Sequence, residues 1–140
     1  VEHRIEFVRE LDGVTYYNDS KGTNPDSSIK ALEAMTKPTL IIAGGYDKHS
    51  EFDGFIDAFG GKVKLMVLIG TTAPQIEKTA RAHGFDNIIN TDSLENAVQI
   101  CHDNAVSGDV VLLSPACASW DMFKSYEERG RLFKEYVNRF

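Results

Sequence analysis

Apolar residues along the chain follow two alternating patterns, one with the period of a strand and one with the period of a helix. Short runs of β-branched and other apolar residues predict strands, and apolar residues three or four positions apart predict helices. The predicted strands are residues 5–11, 14–18, 39–43, 63–69, 86–89 and 109–113. The predicted helices are residues 25–36, 51–59 and 126–137, one that starts at Thr72 and one that Ser93 caps.

Strands that alternate with helices indicate an α/β fold with a Rossmann-like, mostly parallel sheet and helices on both faces. The first two strands flank Asp12-Gly13, a dipeptide typical of a two-residue turn, so an N-terminal β-hairpin is expected. Residues 72–75 have the spacing of a capping box, which predicts that Thr72 caps the helix after it.

Three polar clusters follow predicted strands, at residues 18–24, 44–50 and 114–120. Ligands of parallel α/β sheets bind beyond the carboxyl ends of the strands. We therefore expect the three clusters to converge on one site, although they are far apart in the sequence.

The first cluster joins a strand to a helix and reads NDSKGTNP from Asn18 to Pro25. Asn24 is a good N-cap and Pro25 suits the first helical turn. A helix N-terminus presents free N–H groups and partial positive charge, which together with Lys21 and the Thr23 hydroxyl favour an anion. The alternative is a polar loop that only caps its helix.

The second cluster begins with Gly44-Gly45 after a buried strand and contains Lys48, a mobile cation for a carboxylate or phosphate. A plain turn from strand to loop is the alternative. The chain contains no G-x-x-x-x-G-K-[ST] phosphate-binding loop.

The third cluster, SPACASWD, runs from Ser114 to Asp121, and its small residues allow a backbone to approach a ligand closely. Ser119 is a potential hydroxyl donor, whereas Cys117 is interpreted as a small buried thiol rather than a nucleophile. Trp120, Phe123 and Tyr126 are expected in the core and the pocket wall. Residues 127–129 are expected on a solvated helix face.

Composition narrows the class of protein. A chain of 140 residues with 42% hydrophobic residues forms one domain with its own core. The net charge is −6 and the basic residues are scattered, so no nucleic-acid partner is expected. Two cysteines indicate reduced thiols in a cytoplasm, and no apolar run predicts a membrane span. The start at Val1 suggests a domain cut from a longer protein.

The clusters taken together resemble the C-terminal domain of the Mur ligases, and within that family the members that add D-glutamate. The resemblance extends over residues 1–140 and is strongest at residues 18–24 and 113–119, followed by Asp121, Phe123, Arg129 and Gly130. It implies an ATP-dependent, amide-forming ligase of peptidoglycan precursor synthesis. It also implies that the UDP-binding N-terminal domain and the central ATPase domain, which hold most of the ATP, Mg²⁺ and UDP-N-acetylmuramoyl-L-alanine contacts, are absent here.

The resemblance also implies functional roles for the residues of this sequence that match the family's motifs. Lys21 is assigned to catalysis, near the phosphates or the incoming amino acid. Asp19 and Asn24 are assigned to the nucleotide, Asp19 through the ribose. Thr23 and Lys48 are expected to hold the α-carboxylate of D-glutamate, and Ser119, with backbone near Tyr126, its side-chain carboxylate. Trp120 completes the pocket, and no residue is assigned to a metal.

Three positions depart from the family pattern, because Gly22, Trp120 and Tyr126 stand where alanine, leucine and phenylalanine are common. Two other functions stay open on the sequence alone. One is the same domain of another Mur ligase or a folylpolyglutamate ligase, which takes a different amino acid. The other is a non-enzymatic α/β module that binds a ligand or acts as a phospho-receiver.

Overall fold

A computed structural model describes residues 1–47 and 49–140 and contains one six-stranded sheet with the strand order β1-β2-β6-β3-β4-β5. All neighbouring strands are parallel except β1 and β2, which form an antiparallel hairpin. The strands are β1 Glu6–Leu11, β2 Val14–Asn18, β3 Thr39–Gly44, β4 Val63–Ile69, β5 Ile88–Asn90 and β6 Val110–Leu113. The helices are α1 Pro25–Ala34, α2 Asp53–Asp57, α3 Ala73–Ala82, α4 Leu94–Asn104 and α5 Tyr126–Asn138.

The hairpin follows from its turn residues. Leu11 pairs with Val14, and both Asp12 and Gly13 have positive φ values, of 53° and 80°. Two consecutive positive φ values characterise the type I′ turn, whose twist suits a hairpin. The prediction from Asp12-Gly13 is therefore confirmed.

Each face of the sheet has its own apolar core. Alternate residues of β3 point to opposite faces, so Ile41 packs in the core beneath α1, α2 and α3, and Ile42 packs in the core beneath α4 and α5. Both cores consist mainly of buried aliphatic and aromatic side chains. This confirms the expected α/β fold with helices on both faces.

Helix caps are mostly as predicted. The side chain of Asn24 accepts a hydrogen bond from Ser27 N at the start of α1, and that of Ser93 accepts one from Asn96 N at the start of α4. The capping-box prediction is wrong, because Thr72 makes no side-chain cap bond to α3. Helix α2 is shorter than predicted, and β5 begins two residues later and ends one residue later than the predicted strand.

The carboxyl ends of β2, β6, β3 and β4 are neighbours at one edge of the sheet. Hydrogen bonds connect the loops there: Asp19 N donates to Leu113 O at 2.7 Å, and Gly44 N donates to Pro115 O at 2.9 Å. The three clusters therefore lie next to one another at this edge, as expected. A fourth loop, which follows β4, joins them.

Candidate functional site

A pocket of about 510 Å³ opens at this edge of the sheet. It is formed by the loop after β2, the loop after β6 and the first residues of α5. Its lining residues are Thr23, Ala118, Ser119, Trp120, Lys124, Ser125, Tyr126 and Glu127. Four of the five residues that the sequence assigned to a substrate therefore line one cavity. The fifth, Lys48, lies outside the described residues.

Ser119 is the polar group best placed for a ligand. The residue is only 2% exposed, yet it lines the pocket. Its carbonyl is used locally, because it accepts hydrogen bonds from Met122 N and Phe123 N at 3.1 and 2.8 Å. Within residues 1–47 and 49–140, no side chain or backbone group hydrogen-bonds its hydroxyl. A ligand oxygen in the pocket can therefore accept a hydrogen bond from this hydroxyl.

The N-terminus of α5 contributes partial positive charge at the pocket, where Glu127 also lies. Ser125 caps this helix by accepting a hydrogen bond from Glu128 N at 3.1 Å. The first two helical residues, Tyr126 and Glu127, line the pocket, and N–H groups of a first helical turn have no acceptor within the helix. The helix dipole and the nearby Lys124 charge both favour an anion.

Trp120, which lines the pocket, forms an aromatic pair with Tyr46. Trp120 is 72% exposed, and its ring centroid lies 5.7 Å from that of Tyr46. Tyr46 is tied to the pocket wall by reciprocal backbone hydrogen bonds with Ala118, both 2.9 Å long. The second cluster is thus attached to the third directly beside Ser119.

Asp19 lies below the pocket and is fully buried. It accepts hydrogen bonds from Ser114 Oγ at 2.7 Å and from Ile5 N at 3.1 Å. Ser114 Oγ is also 2.7 Å from Ser28 Oγ, and Ala116 N donates to Ser28 Oγ at 3.0 Å. A hydroxyl has one proton, so Ser28 donates to Ser114 while Ser114 donates to Asp19. Burial raises the pKa of Asp19 above its ordinary value, and these hydrogen bonds oppose that effect.

The loop above this network leaves little room at Gly22. A Cβ atom there would lie 2.8 Å from Asp19 Oδ2 and 2.8 Å from Ser28 Oγ. Glycine therefore allows the backbone to lie directly on the network.

Lys21 is exposed and its N–H donates to His3 O at 2.9 Å. The Asn24 side chain caps α1 by accepting a hydrogen bond from Ser27 N. The nucleotide-binding roles of Asp19 and Asn24 stay predictions.

The prediction of a solvated helix face at residues 127–129 is wrong for Arg129, because this residue is only 1% exposed. Its Nη2 donates to Ser20 O at 2.6 Å, its Nε to Ser20 Oγ at 2.9 Å and its Nη1 to Cys117 O at 3.0 Å. Ser20 Oγ in turn donates to Tyr126 O at 2.7 Å. One guanidinium thus joins the first cluster, the third cluster and the start of α5.

The sequence did contain a signal for the burial of Arg129. It precedes Phe133 by four residues and Val137 by eight, which places all three on one face of α5, and all three are buried. Burial lowers the pKa of Arg129 to about 10, so it stays charged at neutral pH.

Cys117 is confirmed as a buried thiol. Burial raises its pKa to about 12, and its Sγ lies 3.2 Å from Thr72 Oγ1. A thiol with that pKa stays protonated near neutral pH and is a poor nucleophile.

Solved ligases share this fold. UDP-N-acetylmuramate-alanine ligase from Thermotoga maritima aligns with a TM-score of 0.68 and 14% identity, over 99% of this chain and 30% of that chain. A bifunctional folylpolyglutamate synthase/dihydrofolate synthase from Yersinia pestis, complexed with AMPPNP and Mn ion, aligns with a TM-score of 0.67 and 14% identity, over 98% of this chain and 32% of that chain. At such identities the likeness establishes the fold alone.

Curated relatives are far more similar in sequence. UDP-N-acetylmuramoylalanine–D-glutamate ligase from Lachnospira eligens is 63% identical over 138 residues, 99% of this chain and 31% of that protein. The protein of that name from Thermoanaerobacter sp. (strain X514) is 60% identical over 139 residues, 98% of this chain and 31% of that protein. The chain thus spans 31% of the length of these relatives. Residues 3–117 match the family model described as Mur ligase, glutamate ligase domain, and the chain therefore belongs to the Mur ligase family.

Proposed function

We propose that this chain is the C-terminal, amino-acid-binding domain of an ATP-dependent ligase that adds D-glutamate to UDP-N-acetylmuramoyl-L-alanine. The observation that carries the proposal is the pocket in which Thr23, Ser119 and the N-terminus of α5 meet. The UDP-binding and central ATPase domains are assigned to the part of such a ligase that these 140 residues do not contain. Membership of the Mur ligase family excludes the receiver-type module.

The reaction requires an activated carboxylate and a positioned amine. ATP transfers its terminal phosphoryl group to the carboxylate of UDP-N-acetylmuramoyl-L-alanine, which forms an acyl phosphate and ADP. The amine of D-glutamate attacks the acyl carbon and loses a proton, and phosphate leaves as the amide forms. This chain contributes by holding the amine close to that carbon, since fixed orientation removes much of the entropic cost.

D-Glutamate carries two carboxylates, and the pocket offers groups for both. We assign the side-chain carboxylate to the Ser119 hydroxyl and to the N–H groups of Tyr126 and Glu127, because none of these donors has a hydrogen-bond partner among the described residues. We assign the α-carboxylate to Thr23 and Lys48. Lys21 adds a positive charge two residues before Thr23, where it favours the phosphate that develops next to the amine.

The nucleotide and its metal are assigned mainly to the central domain. The part of the chain that the structure describes has no group of three or more His, Cys, Asp or Glu side chains able to hold a metal ion. Asp19 and Asn24 stay our candidates for the nucleotide-facing wall, Asp19 through the loop that it supports.

The setting of the reaction is proposed to be the cytoplasm. Cys101 and Cys117 are both free and buried, as expected where thiols stay reduced. Within the described residues, no helix combines the length and apolar character needed to cross a bilayer.

Steady-state kinetics on the longer ligase that contains this chain tests the site. Ser119→Ala and Lys48→Ala each remove a hydrogen bond to a charged group, worth about 1.5–3 kcal/mol, so the KM for D-glutamate should rise roughly tenfold to a hundredfold. The KM for ATP should change far less. Ser107→Ala, an exposed serine at the opposite edge of the sheet, is the matched control.

Two results would contradict the proposal. Unchanged D-glutamate kinetics in both alanine variants would remove these residues from the site. Phosphate release that depends on another amino acid, and not on D-glutamate, would assign the domain to a different ligase of the family.

A further inference from the structure

Thr72 stands at the start of α3 but does not cap it. The residue is buried, its φ and ψ are −86° and −3°, and its hydroxyl makes no bond to the first turn of its own helix. The hydroxyl of a threonine at this position normally accepts a hydrogen bond from an N–H group of the first helical turn. Departures from such a local rule are expected where a residue serves a site.

The Thr72 hydroxyl instead binds the backbone of Gly45, in the second cluster. Thr72 Oγ1 donates to Gly45 O at 3.0 Å and accepts from Gly45 N at 3.2 Å. Thr72 N also donates to Gly45 O at 3.0 Å, and Thr71 Oγ1 donates to the same oxygen at 3.1 Å. One peptide carbonyl therefore accepts three hydrogen bonds from the loop after β4.

The protons around Thr72 Oγ1 can be assigned. The hydroxyl has one proton, and Gly45 O accepts it. The Cys117 thiol, 3.2 Å away, is protonated because of its raised pKa, and it therefore donates to Thr72 Oγ1. Thr72 thus bridges the second and third clusters, with every polar contact satisfied.

The backbone at Gly45 packs closely against the loop after β6. Its φ is 146°, and a Cβ atom there would lie only 2.4 Å from Ala118 O. A Cβ atom on Gly44 would lie 1.9 Å from Ile69 O. The two glycines let the chain pass tightly between the end of β4 and the loop after β6.

The bridge continues into the pocket wall. Tyr46 follows Gly45 directly and exchanges two backbone hydrogen bonds with Ala118, which precedes Ser119. Fixing Gly45 therefore fixes Tyr46, and through it the segment that carries Ser119 and Trp120. We infer that Thr72 is a positioning residue that holds the wall of the amino-acid pocket through Gly45 and Ala118. The kinetic part of this inference rests on the proposed function, and the structural part does not.

The variants Thr72→Val and Thr72→Ser separate the hydroxyl from the rest of the side chain. In the longer ligase, Thr72→Val should raise the KM for D-glutamate about threefold to tenfold, as expected for one lost hydrogen bond, with kcat and the KM for ATP changed less than twofold. Thr72→Ser keeps the hydroxyl and should restore the wild-type KM. Thr79→Val, a half-buried threonine of the same helix, is the control and should leave the KM unchanged.

Amide hydrogen exchange in the same protein tests the bridge without substrate. Exchange over residues 44–47 and 117–119 should become at least threefold faster in Thr72→Val and stay at the wild-type rate in Thr72→Ser. Unchanged exchange in Thr72→Val, or equal changes in both variants, would overturn the inference. Faster exchange with an unchanged KM for D-glutamate would overturn the positioning role alone. A wild-type ligase that does not use D-glutamate would overturn the proposed function, while the exchange result still decides the bridge.

Discussion

Replacing Arg129 by methionine should weaken the whole domain, because this buried guanidinium joins three segments of the site. Methionine keeps most of the apolar stem and its packing, but it has no donors for Ser20 O, Ser20 Oγ and Cys117 O. The substitution therefore isolates the hydrogen bonds from the contribution of side-chain volume.

The size of the effect follows from two opposing contributions. Hydrogen bonds to a charged group are worth about 1.5–3 kcal/mol each, so the loss of three has a gross cost of about 4–9 kcal/mol. Methionine also removes the desolvation penalty of the buried cation. That penalty lowers the pKa of Arg129 to about 10, which corresponds to roughly 3 kcal/mol. The expected net loss in the free energy of unfolding is about 1–6 kcal/mol.

Urea unfolding of the 140-residue chain at pH 7, followed by far-UV circular dichroism, measures this quantity. Domains of this kind are stable by about 5–15 kcal/mol, so the variant should still fold. Arg131→Met is the control. Arg131 is exposed, and its Nη2 forms a long ion pair of 4.0 Å with Glu128 Oε2. Such surface pairs contribute about 0–1 kcal/mol. A loss below 1 kcal/mol for Arg129→Met, or equal losses in both variants, would refute the reasoning.

Three further outcomes are expected. His83 lies 2.7 Å from Asp53 and 2.9 Å from Asp57, which raise its pKa. Its contribution to stability should therefore be complete below about pH 6.5 and disappear as the pH rises through the higher folded-state pKa. The measurement is the urea midpoint of His83→Gln and of the wild type across pH 5–9. Parallel curves of midpoint against pH for the two proteins would contradict this expectation. Cys117→Ser should keep most ligase activity, because the thiol is protonated and serine can also donate to Thr72 Oγ1; abolished turnover in a correctly folded variant would revive the nucleophile hypothesis. The 140-residue chain alone should melt cooperatively but release no phosphate from ATP with D-glutamate and UDP-N-acetylmuramoyl-L-alanine, and phosphate release free of contaminating ligase would show that the central domain is dispensable.

The sequence located much of the pocket, because the polar clusters lie at strand ends and parallel strands end at one edge. Thr23, Ser119, Trp120 and Tyr126 were assigned from the resemblance to the Mur ligases, and all four line the same cavity. Arg129 was assigned to solvent instead. That prediction followed from the charge of Arg129. The spacing of Arg129 to Phe133 and Val137 places it on the buried face of α5.

The sequence by itself determined the local structure of this protein. The Asp12-Gly13 turn, the Asn24 cap and the apolar runs of the strands depend on neighbouring residues only, so backbone sterics and side-chain period are enough to specify them. The tertiary structure alone decided that β6 lies between β2 and β3, and that Thr72 binds Gly45 rather than its own helix. Those pairings join residues far apart in the chain, and a hydroxyl or a guanidinium has several possible partners until packing brings one of them within hydrogen-bond distance.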